Sequence, residues 1–420
     1  MPYERLRLSG DPGRFATQLR ALVPAPASVS AAVAEIIAAV REGGDRALAT
    51  YTARYDTCGA QPPSLLVDDD ALDVALGSLD PAVRAGLERA IENVRAVARA
   101  AVGEDRQVQL GGHRVVLREA PVRRAAIYVP GGRAPYPSTV VMGTVTAGVA
   151  GVQEIAVCAP PGPDGVNRTI LAACRLAGAS RVYAMGGAQA VAALAYGTET
   201  VGPVDVIAGP GNLYVQEAKR QVSGDVGIDG FAGPSDLFVI AGPGADPEPV
   251  ALDLLAQTEH GAGSLVVGTS PAPEVLDELQ SHLEAGADTG AIVRLVDVAD
   301  PEAALELAEA FAPEHLQLVG DGVQNLAPRV SRAGCVFVGA AAGTAFGDYI
   351  AGSNHILPTG GAARFASGLS VAHFRRRFTE VHIADDAAEL ARAAAPIARS
   401  EGFELHARSM EARIRDNPRT

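Results

Sequence analysis

Short apolar runs that alternate with helical stretches from residue 125 onward constrain the fold of this chain more than any other feature. The runs AAIYV, EIAVCA, RVYAM, VDVIA and LFVI occur in that order, and others follow at 264–268, 292–296, 315–319 and 335–339. Apolar strands joined by crossover helices are typical of parallel sheets that are covered on both faces. The sequence therefore predicts an α/β protein with two incomplete Rossmann-like parallel-sheet units and helices on both faces.

Changes in residue composition and periodicity along the chain predict its domain boundaries. Residues 1–25 show little periodicity and are predicted to form an N-terminal arm. The first α/β unit is predicted to be discontinuous, with residues 26–127 and 237–381, and the second is predicted to cover residues 128–236. From residue 382 to residue 420, Ala, Arg and Glu recur in helical order, which predicts a C-terminal helical appendage.

Composition limits the partners of the chain. Its formal net charge of -14 over 420 residues argues against nucleic acid or an anionic membrane as the main partner. The four cysteines are widely spaced without a CxxC pair, as expected in a reducing compartment. The sequence shows neither an apolar signal core nor a run as long as a membrane span. We therefore expect a cytoplasmic protein that acts on a small molecule.

The adjacent residues Glu314 and His315 are the first candidates for acid–base chemistry. Pro313 follows a predicted helix and HLQLV predicts a strand, so we expect the pair in the connection between them. A carboxylate and an imidazole titrate on either side of neutrality and suit a reaction with two proton transfers. The pattern alone favours the simpler interpretation, a solvated pair in a loop. Such a connection lies opposite the usual ligand crevice of a parallel sheet, so a site there would have to lie between units or subunits.

Four glycine-rich turns, each next to a predicted strand, are candidates for binding a nucleotide. They are YVPGG at 128–132, MGGAQA at 185–190, AGPGN at 208–212 and FAGPSD at 231–236. Glycine lets backbone amides approach a phosphate or a ring closely. The dinucleotide fingerprint GxGxxG is absent, and each turn taken singly is better explained as an ordinary tight turn.

Any metal would need scattered ligands, because the sequence contains neither HExxH nor paired CxxC motifs. Gln257 and His260 share a face of a predicted helix, although the helix dipole also favours a histidine at a helix C-terminus. Asp348 lies in a glycine-containing loop, where it suits either a ligand or an Asx turn. Glu401 and His406 fall on the last predicted helix, where a solvated pair is the ordinary interpretation.

The glycine turns and these polar residues belong to a series of motifs that occur in one order. The series is YVPGG, GGAQA, GPGN, AGPS, QTEHG, APEHL, GDY with NHILPTGG, and EGFELH. With these motifs the chain resembles the histidinol dehydrogenase family from about residue 30 to residue 410. The resemblance implies a zinc-dependent homodimer that oxidises L-histidinol through L-histidinal to L-histidine with two NAD, in the last steps of histidine biosynthesis.

The resemblance also implies roles for single residues. The implied catalytic bases are Glu314 and His315. The implied zinc ligands are Gln257, His260, Asp348 and His406, and the implied NAD contacts in residues 128–236 are Tyr128, Gln189 and Asn212. The implied substrate pocket adds Ser235, His355 and Glu401 to His315 and the four zinc ligands. In the family, the C-terminal segment with Glu401 and His406 comes from the partner subunit.

Three departures from the usual family pattern keep other functions open. Gly343 and Thr344 replace Pro-Glu, Thr146 to Gly148 replace Pro-Ala-Lys, and Asp236 replaces the Glu after AGPS. One alternative is therefore a divergent zinc and NAD alcohol dehydrogenase that acts on another polar alcohol. A non-catalytic ligand-binding relative would be expected to lack a metal ligand or the Glu-His pair, and this chain retains both. A purely structural α/β protein would leave the histidines without a metal.

Overall fold

The computed structural model describes residues 2–24, 28–131 and 134–414. The ends of the predicted arm and appendage, and Gly132 of one glycine turn, lie outside the described residues. The helices are α1 (Pro12–Arg20), α2 (Ser30–Tyr55), α3 (Asp69–Gly77), α4 (Pro81–Ala100), α5 (Pro137–Ala150), α6 (Arg168–Ala177), α7 (Gly187–Tyr196), α8 (Leu213–Val222), α9 (Pro247–Thr258), α10 (Pro273–Glu284), α11 (Pro301–Phe311), α12 (Ala345–Tyr349), α13 (Ala387–Ser400) and α14 (Glu404–Glu411). The strands are β1 (Tyr3–Arg7), β2 (Arg106–Leu110), β3 (His113–Pro121), β4 (Arg124–Tyr128), β5 (Glu154–Ala159), β6 (Arg181–Ala184), β7 (Val206–Ala208), β8 (Gly227–Ile228), β9 (Asp236–Ala241), β10 (Leu265–Ser270), β11 (Ile292–Asp297), β12 (His315–Val319), β13 (Cys335–Val338) and β14 (Arg375–Ile383). No helix among these is both long and apolar enough to span a bilayer.

Six parallel strands form one sheet, in the order β1-β11-β10-β9-β12-β13. Phe238 and Ile240 of its central strand β9 pack in one apolar cluster, whereas Leu237 and Val239 pack in a second one. Because successive side chains of a strand point to opposite faces, the two clusters cover the two faces of the sheet. This double burial explains why LFVI is apolar at every position.

Five further parallel strands form a second sheet, in the order β6-β5-β4-β7-β8. Every apolar run of the sequence analysis forms a strand in one of the two sheets. The predicted α/β class with two parallel-sheet units is thereby confirmed.

The helices between residues 30 and 100 pack beside the five-stranded sheet. Val33, Ile36 and Val40 of α2 join an apolar cluster that contains Tyr128 of β4, and α3 and α4 pack on α6 and α5. The predicted grouping of residues 26–127 with 237–381 in one discontinuous unit stays a prediction. Helical periodicity identifies the apolar face of a helix but does not reveal which segment packs against it.

The predicted N-terminal arm contributes to the six-stranded sheet. Strand β1 pairs in parallel with β11 at the edge of the sheet, and α1 packs on α11. Asp11 caps α1, and Arg20 is the last residue of that helix. The described part of the arm therefore places α1 beside the segment that leads to Glu314.

The chain divides into two compact units, and both parallel sheets belong to the larger one, which spans Met1–Ala101 and Val122–Phe374. The smaller unit spans Val102–Pro121 and Arg375–Thr420. It contains an antiparallel sheet of order β14-β3-β2 together with α13 and α14. The sequence prediction placed β2, β3 and most of β14 in the first α/β unit, whereas these strands pair with one another in the smaller unit. The predicted domain boundaries stay a prediction.

Candidate active site

Glu314 and His315 are buried at the amino edge of the six-stranded sheet. Helix α11 ends at Phe311, its C-cap Ala312 has a left-handed φ of 52°, and Pro313 lies between this cap and Glu314. His315 is the first residue of β12. Glu314 is 6% exposed and His315 is 3% exposed, which excludes the solvated loop pair. The predicted helix-to-strand position is therefore correct, with His315 already in the strand.

Hydrogen bonds hold the Glu314 carboxylate in one orientation. Its Oε2 accepts from Ser235 Oγ at 2.5 Å and from the Asp236 amide at 3.0 Å. Ser235 Oγ in turn accepts from Gln257 Nε2 at 2.6 Å. Three of the predicted site residues thus form one chain of hydrogen bonds, from α9 through the start of β9 to Glu314.

His315 lies between two carboxylates. Its Nδ1 is 3.9 Å from Glu314 Oε2, and its Nε2 is 3.6 Å from Asp348 Oδ1. Both distances exceed a hydrogen bond. His315 Nδ1 is buried without a hydrogen-bond partner among the described residues, so the imidazole keeps a free position towards which a proton can move.

Burial and neighbouring charge shift both titrations of the pair. Burial raises the pKa of Glu314 to about 7, against the opposing effect of His315. Burial alone would lower the pKa of His315, but the carboxylates of Glu314 and Asp348 outweigh it and raise that pKa. Glu314 can therefore accept a proton near neutral pH, which an exposed glutamate does not do.

His355 connects the site with the five-stranded sheet. Its Nδ1 donates to the Asp348 carbonyl at 2.8 Å, which leaves Nε2 as the acceptor for Thr139 Oγ1 at 3.2 Å. Thr139 lies on α5, the helix after β4. Burial lowers the pKa of His355, so the ring is neutral in this position. It fixes the backbone of Asp348 rather than offering a proton-transfer group.

The donors at this edge fit zinc by their chemistry. Gln257 Nε2 is committed to Ser235, which leaves its amide oxygen as the ligand atom, and His260 follows on the same helix end. Burial would raise the pKa of Asp348, but the surrounding histidines lower it and keep the carboxylate ionised. An amide oxygen, an imidazole and a carboxylate are borderline or hard donors that zinc accepts. Within residues 2–24, 28–131 and 134–414, no three His, Cys, Asp or Glu side chains are grouped to hold a metal, so these donors need a further ligand.

A cavity of about 980 Å³ lies at the carboxyl edge of the five-stranded sheet. Tyr128, Gln189 and Asn212, the three residues with implied NAD contacts, all line it. Tyr128 ends β4 and its hydroxyl accepts from the Gly187 amide at 3.0 Å, while Asn212 caps the start of α8. A cavity of this size at the carboxyl ends of parallel strands is the usual place for a nucleotide.

A buried ion pair holds the AGPGN turn beside this cavity. Lys219 Nζ donates to the Gly209 carbonyl at 3.0 Å and to Asp229, and Asp229 accepts from the Gly209 amide at 2.7 Å. Gly209 has φ +120°, and a Cβ there would lie 2.1 Å from the Tyr128 carbonyl. The turn therefore requires glycine at this position and has both of its peptide groups fixed.

Sequence reasoning missed Asp56, which lines the same cavity. Its Oδ2 accepts from the Gly186 amide at 3.1 Å and from Gln189 Nε2 at 3.3 Å. Burial raises the pKa of Asp56 to about 6. No local motif marks this residue, because it only follows the end of α2 and is 130 residues away from Gly186.

Glu401 and His406 belong to the smaller compact unit, which is described by itself. Glu401 caps the end of α13, and His406 lies on α14 with its ring 5.1 Å from that of Phe403. Both side chains are exposed. The other ten predicted site residues belong to the larger unit.

Comparison with known proteins gives one consistent result. A family model for histidinol dehydrogenase matches residues 23–414. Histidinol dehydrogenase of Pseudomonas syringae pv. syringae (strain B728a) is 41% identical over 405 residues, which covers 93% of this chain and 90% of that relative. The chain belongs to the histidinol dehydrogenase family. The histidinol dehydrogenase of Cupriavidus pinatubonensis is 39% identical over 440 residues, with 97% of each chain covered.

The fold agrees with membership of the histidinol dehydrogenase family. The crystal structure of histidinol dehydrogenase from Elizabethkingia anophelis matches with a TM-score of 0.92 at 29% identity, covering 99% of this chain and 98% of that one. The predicted family and the predicted enzyme class, an oxidoreductase of histidine biosynthesis, are thereby confirmed.

Proposed function

We propose that this chain is a zinc-dependent histidinol dehydrogenase that oxidises L-histidinol through L-histidinal to L-histidine with two NAD. The observation that carries the proposal is the buried Glu314-His315 pair, held by Ser235 and facing Asp348. Two adjacent bases in a desolvated site suit two successive proton-dependent oxidations.

Zinc and NAD would each supply one kind of chemistry. Zinc, held by Gln257, His260, Asp348 and the C-terminal His406, would supply a positive charge that orients a polar alcohol. NAD, contacted by Tyr128, Gln189 and Asn212, would supply the hydride acceptor. The substrate pocket would be completed by Ser235, His355 and Glu401.

His315 would act in the alcohol step. It takes the proton of the substrate hydroxyl while the carbinol carbon gives up hydride, which yields the aldehyde and one reduced cofactor. The carboxylates of Glu314, 3.9 Å from Nδ1, and of Asp348, 3.6 Å from Nε2, both stabilise the imidazolium that results.

Glu314 would act in the aldehyde step. It takes a proton from a water molecule that adds to the aldehyde, while the His315 imidazolium returns its proton to the aldehyde oxygen and the hydrate forms. The neutral His315 would then take a hydroxyl proton of the hydrate as the second hydride leaves for the second NAD. The raised pKa of Glu314, close to neutrality, suits a base that must be regenerated in each turnover. The two half-reactions therefore make different demands on the two side chains.

A homodimer with a shared site accounts for the distribution of the implied ligands. The donors of the larger unit need one more ligand, and His406 is exposed in the smaller unit. Large apolar side chains are also exposed, among them Leu252, Phe365 and Leu405 at 59%, 79% and 76%. Burial of side chains of this size against a partner subunit would be favourable. We place the dimer in the cytoplasm, with no nucleic acid or membrane partner.

A second candidate is an alcohol dehydrogenase of the same scaffold with another polar substrate. Two of the departures from the family pattern lie next to site residues, which supports this second candidate. A Cβ at Gly343 would lie 3.1 Å from Asp253 Oδ1, one helical turn before Gln257, and Thr146 Oγ1 accepts from Asn354 beside His355 at 3.3 Å. Changes at these positions therefore act on neighbours of Gln257 and His355 in the chain.

A substrate panel separates the two candidates. We expect the zinc-loaded protein to reduce NAD with L-histidinol at least about a hundredfold faster, in kcat/KM, than with other amino alcohols, because a site that pairs polar groups rejects analogues lacking them. The panel is L-histidinol, imidazole ethanol, L-threoninol and ethanol, with zinc content measured in the same preparation. A preference for an alcohol without an imidazole would favour the second candidate.

A further inference from the structure

An arginine from the N-terminal arm reaches the interior of the candidate site. Arg20 Nη1 donates to Asp236 Oδ2 at 2.6 Å, and Asp236 is 1% exposed. The two residues are 216 positions apart in the sequence. A buried carboxylate without a compensating cation is strongly unfavourable, so Arg20 is the group that makes an ionised Asp236 tolerable there.

Arg20 also closes the end of the helix that leads to Glu314. Its guanidinium donates to the Phe311 carbonyl at 2.8 Å and to the Ala312 carbonyl at 3.2 Å, and it stacks 3.5 Å from the Phe311 ring. Helix α11 has no basic residue in its own last turn. Arg20 therefore supplies the positive charge and the donors that the C-terminus of a helix favours.

Asp236, which Arg20 holds, forms two hydrogen bonds with Glu314. Asp236 Oδ1 accepts from the Glu314 amide at 2.8 Å, and the Asp236 amide donates to Glu314 Oε2 at 3.0 Å. The Gly360 amide is a further donor to Asp236 Oδ2, at 3.3 Å. Both the backbone and the carboxylate of Glu314 are thus attached to a residue that Arg20 holds.

The charges around Glu314 connect it to Arg20 electrostatically as well. The ionisable groups that face Glu314 are His315 on β12 and Asp236 on β9, and Arg20 on α1 faces Asp236. Asp236 disfavours the ionised form of Glu314, whereas His315 favours it. The Arg20 guanidinium offsets the negative charge of Asp236 and so favours the carboxylate form that a base requires.

We propose that Arg20 is a positioning residue for the aldehyde step, acting through Asp236 to hold Glu314 as an oriented carboxylate. This inference rests on the proposed function. It gives a role to the departure at position 236, because the side chain that follows AGPS here reaches both Arg20 and the Glu314 amide. It also assigns Arg20, and not the N-terminal arm as a whole, to one half-reaction.

The test compares Arg20→Ala and Arg20→Lys with Arg5→Ala as a matched control. Arg5 lies in the same arm and pairs with Asp297, with 2.9 and 2.8 Å contacts, on β11 instead of beside Glu314. We expect Arg20→Ala to lower kcat for L-histidinal oxidation about tenfold and to change the first hydride transfer from L-histidinol by less than about twofold, since misplacing a base affects only the step that uses it. Arg20→Lys should recover most of the loss.

A second readout does not depend on turnover. Hydrogen exchange of the Glu314 amide, which donates to Asp236, should be faster in Arg20→Ala than in the wild-type protein and unchanged in Arg5→Ala. Equal losses in both half-reactions, no loss in either, or an Arg5→Ala variant that behaves like Arg20→Ala would overturn the inference. A wild-type protein that does not oxidise histidinol would instead contradict the proposed function, and the exchange comparison would still decide whether Arg20 holds Glu314.

Discussion

Replacing Glu314 with glutamine is expected to lower the rate of L-histidinal oxidation roughly a thousandfold, in the range for loss of a general base. The first hydride transfer from L-histidinol should fall by less than about tenfold, because His315 serves that step. Glutamine retains an oxygen that can accept from Ser235 Oγ and from the Asp236 amide, so the local structure is conserved. Stopped-flow absorbance of NADH, with each substrate separately, measures the two steps.

The pH dependence of the same step provides the internal check. A base works only when it is deprotonated, so aldehyde oxidation should rise with pH through about 7, where the raised pKa of Glu314 lies, and again at higher pH through the raised pKa of His315. Glu314→Gln should abolish the rise near pH 7. Glu306→Gln, an exposed position on α11, is the control that keeps the wild-type profile. Equal losses of both steps in Glu314→Gln would remove the division of labour between the two residues.

Two inactive variants are expected to restore activity when they form a mixed dimer. His315→Asn removes the proposed base from one chain, and His406→Asn removes the proposed C-terminal ligand from the other. If each site takes its His406 from the partner subunit, half of the randomly mixed dimers contain one intact site of two. About a quarter of the wild-type activity should then return after the variants are unfolded and refolded together.

The two variants refolded separately are the controls and should each remain inactive. Dimer formation is confirmed by size-exclusion chromatography with light scattering. If the mixture refolds into dimers and shows no activity, His406 and His315 of one chain serve the same site, and the proposal of a shared site is wrong.

The parallel sheets could be predicted because their strands carry the signal in their own residues. LFVI and SLVVG are apolar throughout, since both faces of their sheet are covered, as Leu237 and Phe238 show by packing in different clusters. Strand β1, with the sequence YERLR, is an edge strand with three charged side chains and carries no such signal. Strands β3 and β14 pair across more than 250 residues, with most of their side chains partly or fully exposed.

The candidate site likewise has residues that the sequence identifies and residues that only the fold reveals. Glu314, His315, Gln257 and His260 stand in short motifs, so a resemblance to a family could single them out. Their burial, and the hydrogen bonds that turn a loop pair into a desolvated one, follow only from the fold. Arg20 and Asp56 lie outside every motif of that resemblance, because each acts through long-range contacts with residues far away in the sequence. Such contacts depend on tertiary packing and leave no periodicity in the sequence.

The most direct test of the proposed function is the yield of NADH from a limiting amount of L-histidinol, with excess NAD and zinc-loaded protein, and with the product identified by mass spectrometry. The proposal predicts about two NADH for each histidinol and L-histidine as the product, since both oxidations occur at one site. One NADH for each histidinol with histidinal released, or no turnover by a dimer that contains zinc, would contradict it.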